Sequence, residues 1–208
     1  MQIILASQSP RRSFLLNKMG LKFTVIPSDY EEFFDPSAPV DELASTLALG
    51  KARAVAALHP EAIVIGADTI VAFQGKQLGK PKDADEARKV LKSYEGKSCD
   101  AISAIAVVCP AKKYEKASSD VTHLVFGSMP DGIIDQYLIT GNYADKAGSF
   151  AMQHPLIRPR IKQIDGRIDT VVGMQTEMLA ALLRELEVDC HGVDLSDDNL
   201  LEHASMAD

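Results

Sequence analysis

Long hydrophobic runs are missing from this chain of 208 residues. None approaches the ~20 residues of a membrane span, and the first residues lack the basic-then-apolar pattern of a secretory leader, so a cytoplasmic address and no membrane partner are expected. Cysteine is scarce: Cys99, Cys109 and Cys190 are odd in number, far apart and without a CxxC spacing. That disfavours a disulfide framework or a zinc knuckle and leaves plain thiols. The five histidines form no HxxxH or HxH pair, which disfavours zinc chemistry. Excess positive charge is lacking too. A formal net charge of −7 removes the basic surface that a duplex nucleic acid ligand requires, while a small anion held by a few local cations remains compatible. GxSxG, a catalytic-cysteine signature and GxxxxGK[ST] are absent, so the chain is not a P-loop protein and shows no nucleophile elbow. What remains is a chain with 46% hydrophobic residues, enough for one core or for two lobes around a cleft.

Alternating strand and helix patterns organise it. A strand over 2–6 enters Ser7-Gln8-Ser9-Pro10-Arg11-Arg12 and a helix over 10–19, with Ser9 as N-cap, Pro10 at the first helical position and Gly20 as the stop. Phe23 to Ile26 forms a short strand, and a helix near 40–58 follows, with Gly50 suggesting close packing and Pro60 ending it. Ala62 to Ile65 is an apolar strand ending at Gly66-Ala67-Asp68-Thr69, and Ile70 to Phe73 continues extended to a turn at Gln74-Gly75. Asp83 and Glu86 make a capping box for a helix with Ala87, Val90, Leu91 and Tyr94 on its apolar face. Strands at 100–109 and 121–126, a helix around 133–138, a strand pair around 161–172 and a helix at 175–187 complete an α/β fold on a mixed sheet. Residues 1–188 form the domain, and 189–208 read as an acidic, frayed tail.

The chemistry concentrates in a few places. The turn from Ser7 to Arg12 brings backbone N–H groups, two hydroxyls and fixed positive charge to one small volume, the makings of a phosphate site. Adjacent arginines on a helix diverge by about 100°, so Arg11 and Arg12 need not face one ligand. Asp68, at a strand end beside Gly66 and Thr69, is placed for a metal ion or for general-base work, although carboxylates also start ordinary turns. In the same reading Gly66 permits close approach of a ligand. Glu31 and Glu32 add carboxylate in what is otherwise a solvated loop. Lys80 in Leu78-Gly79-Lys80-Pro81 and Lys146 in Asp145-Lys146-Ala147-Gly148 are weak signals singly, and with the arginines they suffice to neutralise a triphosphate.

LASQSPRR, GADTIV at 66–71, LGKP at 78–81 and DKAGSFAMQ at 145–153, in order and spacing from about residue 3 to 187, resemble the Maf family of nucleoside triphosphate pyrophosphatases. The resemblance implies a Maf and ITPase-like fold, a mixed β-sheet flanked by helices with two lobes around a central groove. It implies hydrolysis of a nucleoside triphosphate to the monophosphate and pyrophosphate, a divalent cation (Mg2+ or Mn2+), a cytoplasmic setting and dimeric assembly, although no apolar stripe marks an interface. The family's proton acceptor matches Asp68 and its loop glutamate Glu32, the pair implied to hold the metal. Its phosphate-binding serine and arginine match Ser7 and Arg12, with Lys51, Lys80 and Lys146 as further cations, Lys80 among the catalytic groups. Arg11, Thr69 and Gln153 match the dTTP/UTP branch, with Arg11 and Gln153 implied to hydrogen-bond a pyrimidine and Thr69 to shape its pocket. The 7-methyl-GTP branch differs at all three.

Departures from the pattern are Cys99 and Ser103 where a histidine and a threonine are usual, Asn142-Tyr143 for Glu-Pro, Phe150 to His154 for Tyr-Gly-Ile-Gln-Gly, and Gly173-Met174-Gln175 for Gly-Leu-Pro. They bear on base selectivity and rate more than on fold. A 7-methyl-GTP pyrophosphatase, or a nucleotide-binding regulator of cell division with little turnover, are the competing functions.

Overall fold

The computed structural model describes residues 1–31 and 39–195. Among these, seven strands form one mixed sheet: β1 (Ile3–Leu5), β2 (Thr24–Val25), β3 (Ile63–Phe73), β4 (Lys76–Leu78), β5 (Ser98–Cys109), β6 (Tyr114–Phe126) and β7 (Ile161–Asp165). The order is β2-β1-β3-β5-β6-β7, with β4 pairing back on β3. β2, β1 and β3 run parallel, whereas β3, β5, β6 and β7 pair antiparallel in turn. The helices are α1 (Pro10–Lys18), α2 (Val40–Leu58), α3 (Ala84–Ser93), α4 (Asp131–Ile139), α5 (Ile168–Val172) and α6 (Thr176–Arg184).

Strand alternation divides the core. Ile4, Ala6, Val64, Ala104 and Ala106 pack with the α2 stripe Leu43, Ala44, Leu47, Ala48, Ala52, Val55 and Ala56. Ile3, Leu5, Ile63, Ile65, Ile105 and Val107 belong to a larger cluster on the other face, which α1, α3, α4 and α6 complete. Gly66 serves the first of these packings: a Cβ there would lie 2.2 Å from the Ala48 carbonyl oxygen. Its missing side chain admits the α2 backbone, which corrects the expectation that it admits a ligand. Gly50 meets its expectation of close packing, since a Cβ would stand 2.3 Å from Cζ of Tyr30.

Other sequence expectations shift. β6 begins seven residues before Val121, because its polar first half is held by pairing with β5 rather than by an apolar pattern. The segment 161–172 is one strand followed by α5, where β-branched Val171 and Val172 yield to a turn closed by Asp169. The Asp83 carboxylate accepts from Glu86 N at 2.8 Å as the capping box requires, while the Glu86 side chain accepts from Lys82 N at 2.7 Å instead of from Asp83. The frayed tail expected from Asp189 does not begin there: Cys190, Val193 and Leu195 are buried in the core, and Val193 N donates to Thr176 Oγ1 at 2.8 Å. Apolar residues spaced among the acids anchor 189–195.

One gap in the sheet positions everything that follows. β1 pairs with residues 63–65 of β3 and β4 with residues 71–73. Between them, residues 66–70 keep β5 on one edge and no strand of the described residues on the other. The chain leaves β1 after Ala6 N donates to Ile65 O at 2.8 Å, and its turn into α1 borders the opening.

Candidate active site

Asp68 lies mid-strand in β3, opposite Ala104 of β5, and not at a strand end as the sequence suggested. The break after Ile65 was instead the point where the neighbouring strand stops. Successive strand residues face opposite sides of a sheet, so Asp68 turns to α2 and Thr69 to α1. Lys51 of α2 places Nζ 2.5 Å from Asp68 Oδ1, with both side chains largely covered. Because the sheet edge is open here, the two faces meet in a single cavity.

Arg12 of α1 fixes the other side of that opening. Its guanidinium donates to Ser7 Oγ (2.9 Å), Thr69 Oγ1 (3.2 Å) and Gly173 O (3.1 Å). Ser7 Oγ accepts from Ser9 N as well, at 3.3 Å. Ser9 occupies the N-cap position without making the side-chain cap expected of it, so the first turn of α1 is left without that acceptor, as suits a helix end that receives an anion. Gly173 adopts φ +128, a conformation that disfavours side chains. Its turn is held by Asp169, whose carbonyl accepts from Gly173 N and Met174 N at 2.9 Å each. The Asp169 carboxylate, buried, takes bonds from Arg167, Thr170 N, Thr176 N and Thr176 Oγ1.

The remaining cations arrive on two linked loops. Gly148 N donates to Gly79 O at 3.1 Å, which ties the loop of Lys146 to the loop of Lys80. Tyr94 OH donates to Gly148 O at 3.0 Å from an aromatic cluster with Phe73, Phe126 and Phe150. A Cβ on Gly148 would lie 2.7 Å from that hydroxyl, and φ there is +70. Lys146 is buried with Nζ 2.8 Å from Asp145 Oδ1, and Arg11 approaches Asp145 Oδ2 at 3.7 Å. Burial lifts the Asp145 carboxyl, but the Lys146 hydrogen bond and the charges of Lys146 and Arg11 outweigh it and hold the group below its ordinary value. Gln153 is buried, and its Nε2 has no hydrogen-bond partner among the described residues.

These groups surround a cavity of about 700 Å³, within the range of small-molecule sites. Ser7, Arg11, Arg12, Lys51, Asp68, Thr69, Lys80, Lys146 and Gln153 all line it. Glu32 lies outside the described residues.

The Maf-like protein family model matches residues 2–186. The chain belongs to the Maf family. It is 38% identical over 187 residues to a dTTP/UTP pyrophosphatase of Desulforamulus reducens, covering 90% of this chain and 97% of the relative. A dTTP/UTP pyrophosphatase of Alkaliphilus oremlandii is 40% identical over 184 residues, with 88% and 95% covered. One from Bacillus velezensis is 36% identical over 189 residues, with 90% and 97% covered.

Against the Maf pattern, the departures distribute unevenly. Cys99 is buried in the core and does not line the cavity; burial, then the Asp100 charge, pushes its thiol up to about 12, so it stays protonated and inert. Phe150, Ala151, Met152 and Gln153 do line it. Asn142 contributes its carbonyl to Tyr137 OH, which in turn accepts from Ala151 N at 2.8 Å and so sets the Gln153 segment.

Among the described residues, no group of three His, Cys, Asp or Glu side chains is placed to hold a metal alone. Magnesium is commonly held by one or two carboxylates, with phosphate oxygens and water completing its shell. A cavity with the Asp68 carboxylate and several cationic side chains on its wall suits that chemistry, and Lys51 Nζ stands beside the carboxylate. Sequence reasoning marked Ser103 and Gln175 only as departures from the family pattern and Tyr94 only as an apolar-face residue, and it missed Asp169; all four act through contacts the local sequence does not show.

Proposed function

We propose that this chain hydrolyses nucleoside triphosphates, dTTP and UTP first among them, to the nucleoside monophosphate and pyrophosphate. One observation carries the proposal: Arg12, Lys51, Lys80 and Lys146 come from four separate segments to one cavity whose wall presents the Asp68 carboxylate. A nucleotide's polyphosphate matches that charge, and the names of the relatives agree with it.

Water attacks the α-phosphorus, the bond to the bridging oxygen breaks, and pyrophosphate leaves. Asp68 orients the water and takes its proton. Arg12, Lys51, Lys80 and Lys146 stabilise charge on the phosphate oxygens, the dominant contribution in such transfers. Ser7 Oγ accepts from Arg12 and Ser9 N, which leaves its own proton for a phosphate oxygen. A Mg2+ or Mn2+ ion held by Asp68, Glu32 and the phosphates would add positive charge at the same oxygens. For the base, the Gln153 amide, whose Nε2 has no partner among the described residues, and the Arg11 guanidinium suit a pyrimidine's carbonyls and ring N–H, while Thr69 bonds to Arg12. The proposal includes the cytoplasmic setting and homodimeric assembly of the family; no helix among the described residues is long and apolar enough to cross a membrane.

The test is pyrophosphate release from a panel of nucleotides with added Mg2+. UTP and dTTP should lead. Preference for 7-methyl-GTP would overturn the base assignment, and binding without any release would overturn the enzymatic one.

A further inference from the structure

Two of the departures from the family pattern touch each other beneath the cavity. The Gln175 side-chain amide donates to Ser103 O at 2.5 Å and to Ser118 O at 3.3 Å, and both Gln175 and Ser103 are buried. Ser103 Oγ donates to Asp68 O at 3.1 Å and lies 3.2 Å from Thr69 Oγ1. A hydroxyl carries one proton. With Ser103 donating to Asp68 O, the proton between the two hydroxyls must come from Thr69. Thr69 therefore accepts from Arg12 and donates to Ser103, and the hydrogen bonds run in one direction: Arg12 to Thr69 to Ser103 to the Asp68 backbone.

The path also closes on itself. Gly173 O accepts from Arg12, and two residues later Gln175 is pinned to Ser103. The guanidinium that faces the cavity is thus gripped from behind by a ring through α1, β3, β5 and the turn before α6. Such chains polarise one another and lose their geometry together when one member is removed.

We propose that Ser103 and Gln175 are positioning residues, which act through Thr69 and Gly173 to aim Arg12 at a phosphate. The proposal goes beyond the activity assigned above and rests on that assignment only where turnover is measured.

A double-mutant cycle tests it. Ser103→Ala, Arg12→Ala and the double variant are compared by kcat and KM for UTP and, independently, by calorimetric affinity for pyrophosphate, with Tm recorded for each. Ser103→Ala should lower kcat/KM about tenfold, the scale of one buried hydrogen bond left unmade, and weaken pyrophosphate severalfold. In the Arg12→Ala background the same change should cost less than about twofold, since its route is already cut. Ser103→Thr should restore most of the loss, and Gln175→Met should repeat the Ser103→Ala pattern. Equal losses in both backgrounds would overturn the proposal, as would a wild-type protein that does not bind pyrophosphate. If the coupling is present in pyrophosphate affinity but no nucleotide is hydrolysed, the positioning role stands and the enzymatic assignment falls.

Discussion

Arg12 and Lys146 carry positive charge into the same cavity, but they are held in opposite ways. Arg12 is gripped by two hydroxyls and a backbone carbonyl, neutral groups that cannot replace a phosphate. Lys146 is held by the carboxylate of Asp145, whose side chain is 57% exposed and also draws Arg11. A phosphate entering the cavity need not displace those two hydroxyls and that carbonyl, whereas at Lys146 it competes with the Asp145 carboxylate. The first wall is preorganised, which is where electrostatic catalysis gains most. The second is adjustable.

The largest expected effect lies at Asp68, which faces Lys51 across the opening from Arg12. Asp68→Asn keeps the shape and removes the base, so turnover should fall by ~10²–10⁴ while nucleotide still binds. Pyrophosphate release under saturating UTP measures it, and near-wild-type release would remove Asp68 from the chemistry. Next in size is Arg12→Lys. A lysine offers a point charge and cannot reproduce the fork to Ser7, Thr69 and Gly173, so kcat/KM should drop by ~10², the scale of one lost transition-state donor. A loss below about threefold would mean that charge alone, without aim, suffices on this wall.

Asp145→Asn probes the adjustable side, with a smaller effect of opposite sign. Removing the resident carboxylate takes one competing anion from Arg11 and Lys146, and KM for UTP should fall by up to about fivefold with kcat unchanged, the range of a partly exposed ion pair. Raising the salt should shrink the difference. A rise in KM would show that Asp145 aims Lys146 and does not hold a ligand's place.

The two walls also differed in how far the sequence revealed them. Ser7 and Arg12 sit five residues apart across a strand-to-helix turn, and local spacing alone marks them as neighbours. Asp83 with Glu86 was equally legible, as was Gly20, where φ of +77 ends α1. The pairing of Lys51 with Asp68 spans 17 residues and two elements; local chemistry marked Asp68, and only the family resemblance brought in Lys51. Gln175 and Ser103 are 72 apart, Tyr94 and Gly148 are 54 apart, and nothing local foretells either contact. Gly66 misled for a physical reason: a glycine inside an apolar run looks like a turn, and the pressure on it comes from the α2 backbone, which the run does not contain. Local chemistry predicts caps and turns, while sheet order decides which distant side chains share a cavity.

The smallest effect concerns His154, directly after Gln153 on the adjustable wall. Burial, then the charge of Lys146, holds the imidazole below its ordinary value of 6.5. Its Nδ1 accepts from Leu156 N at 3.2 Å, and its ring stands edge-on to Tyr137 at 4.9 Å. Protonation at Nδ1 would remove that acceptor and set a second cation beside Lys146. As pH falls below 6.5, the unfolded chain takes up this proton before the folded one does, so the unfolded state binds more protons and stability declines until the folded value is passed. Thermal unfolding of the wild type and of His154→Gln at pH 7.5 and pH 5.0 checks the sign: the variant should lose less Tm between the two. Because the segment also carries Gln153, UTP affinity should weaken with acid in the wild type more than in the variant. An equal loss in both proteins would mean that the acid sensitivity of this wall resides in Asp145 and its partners instead.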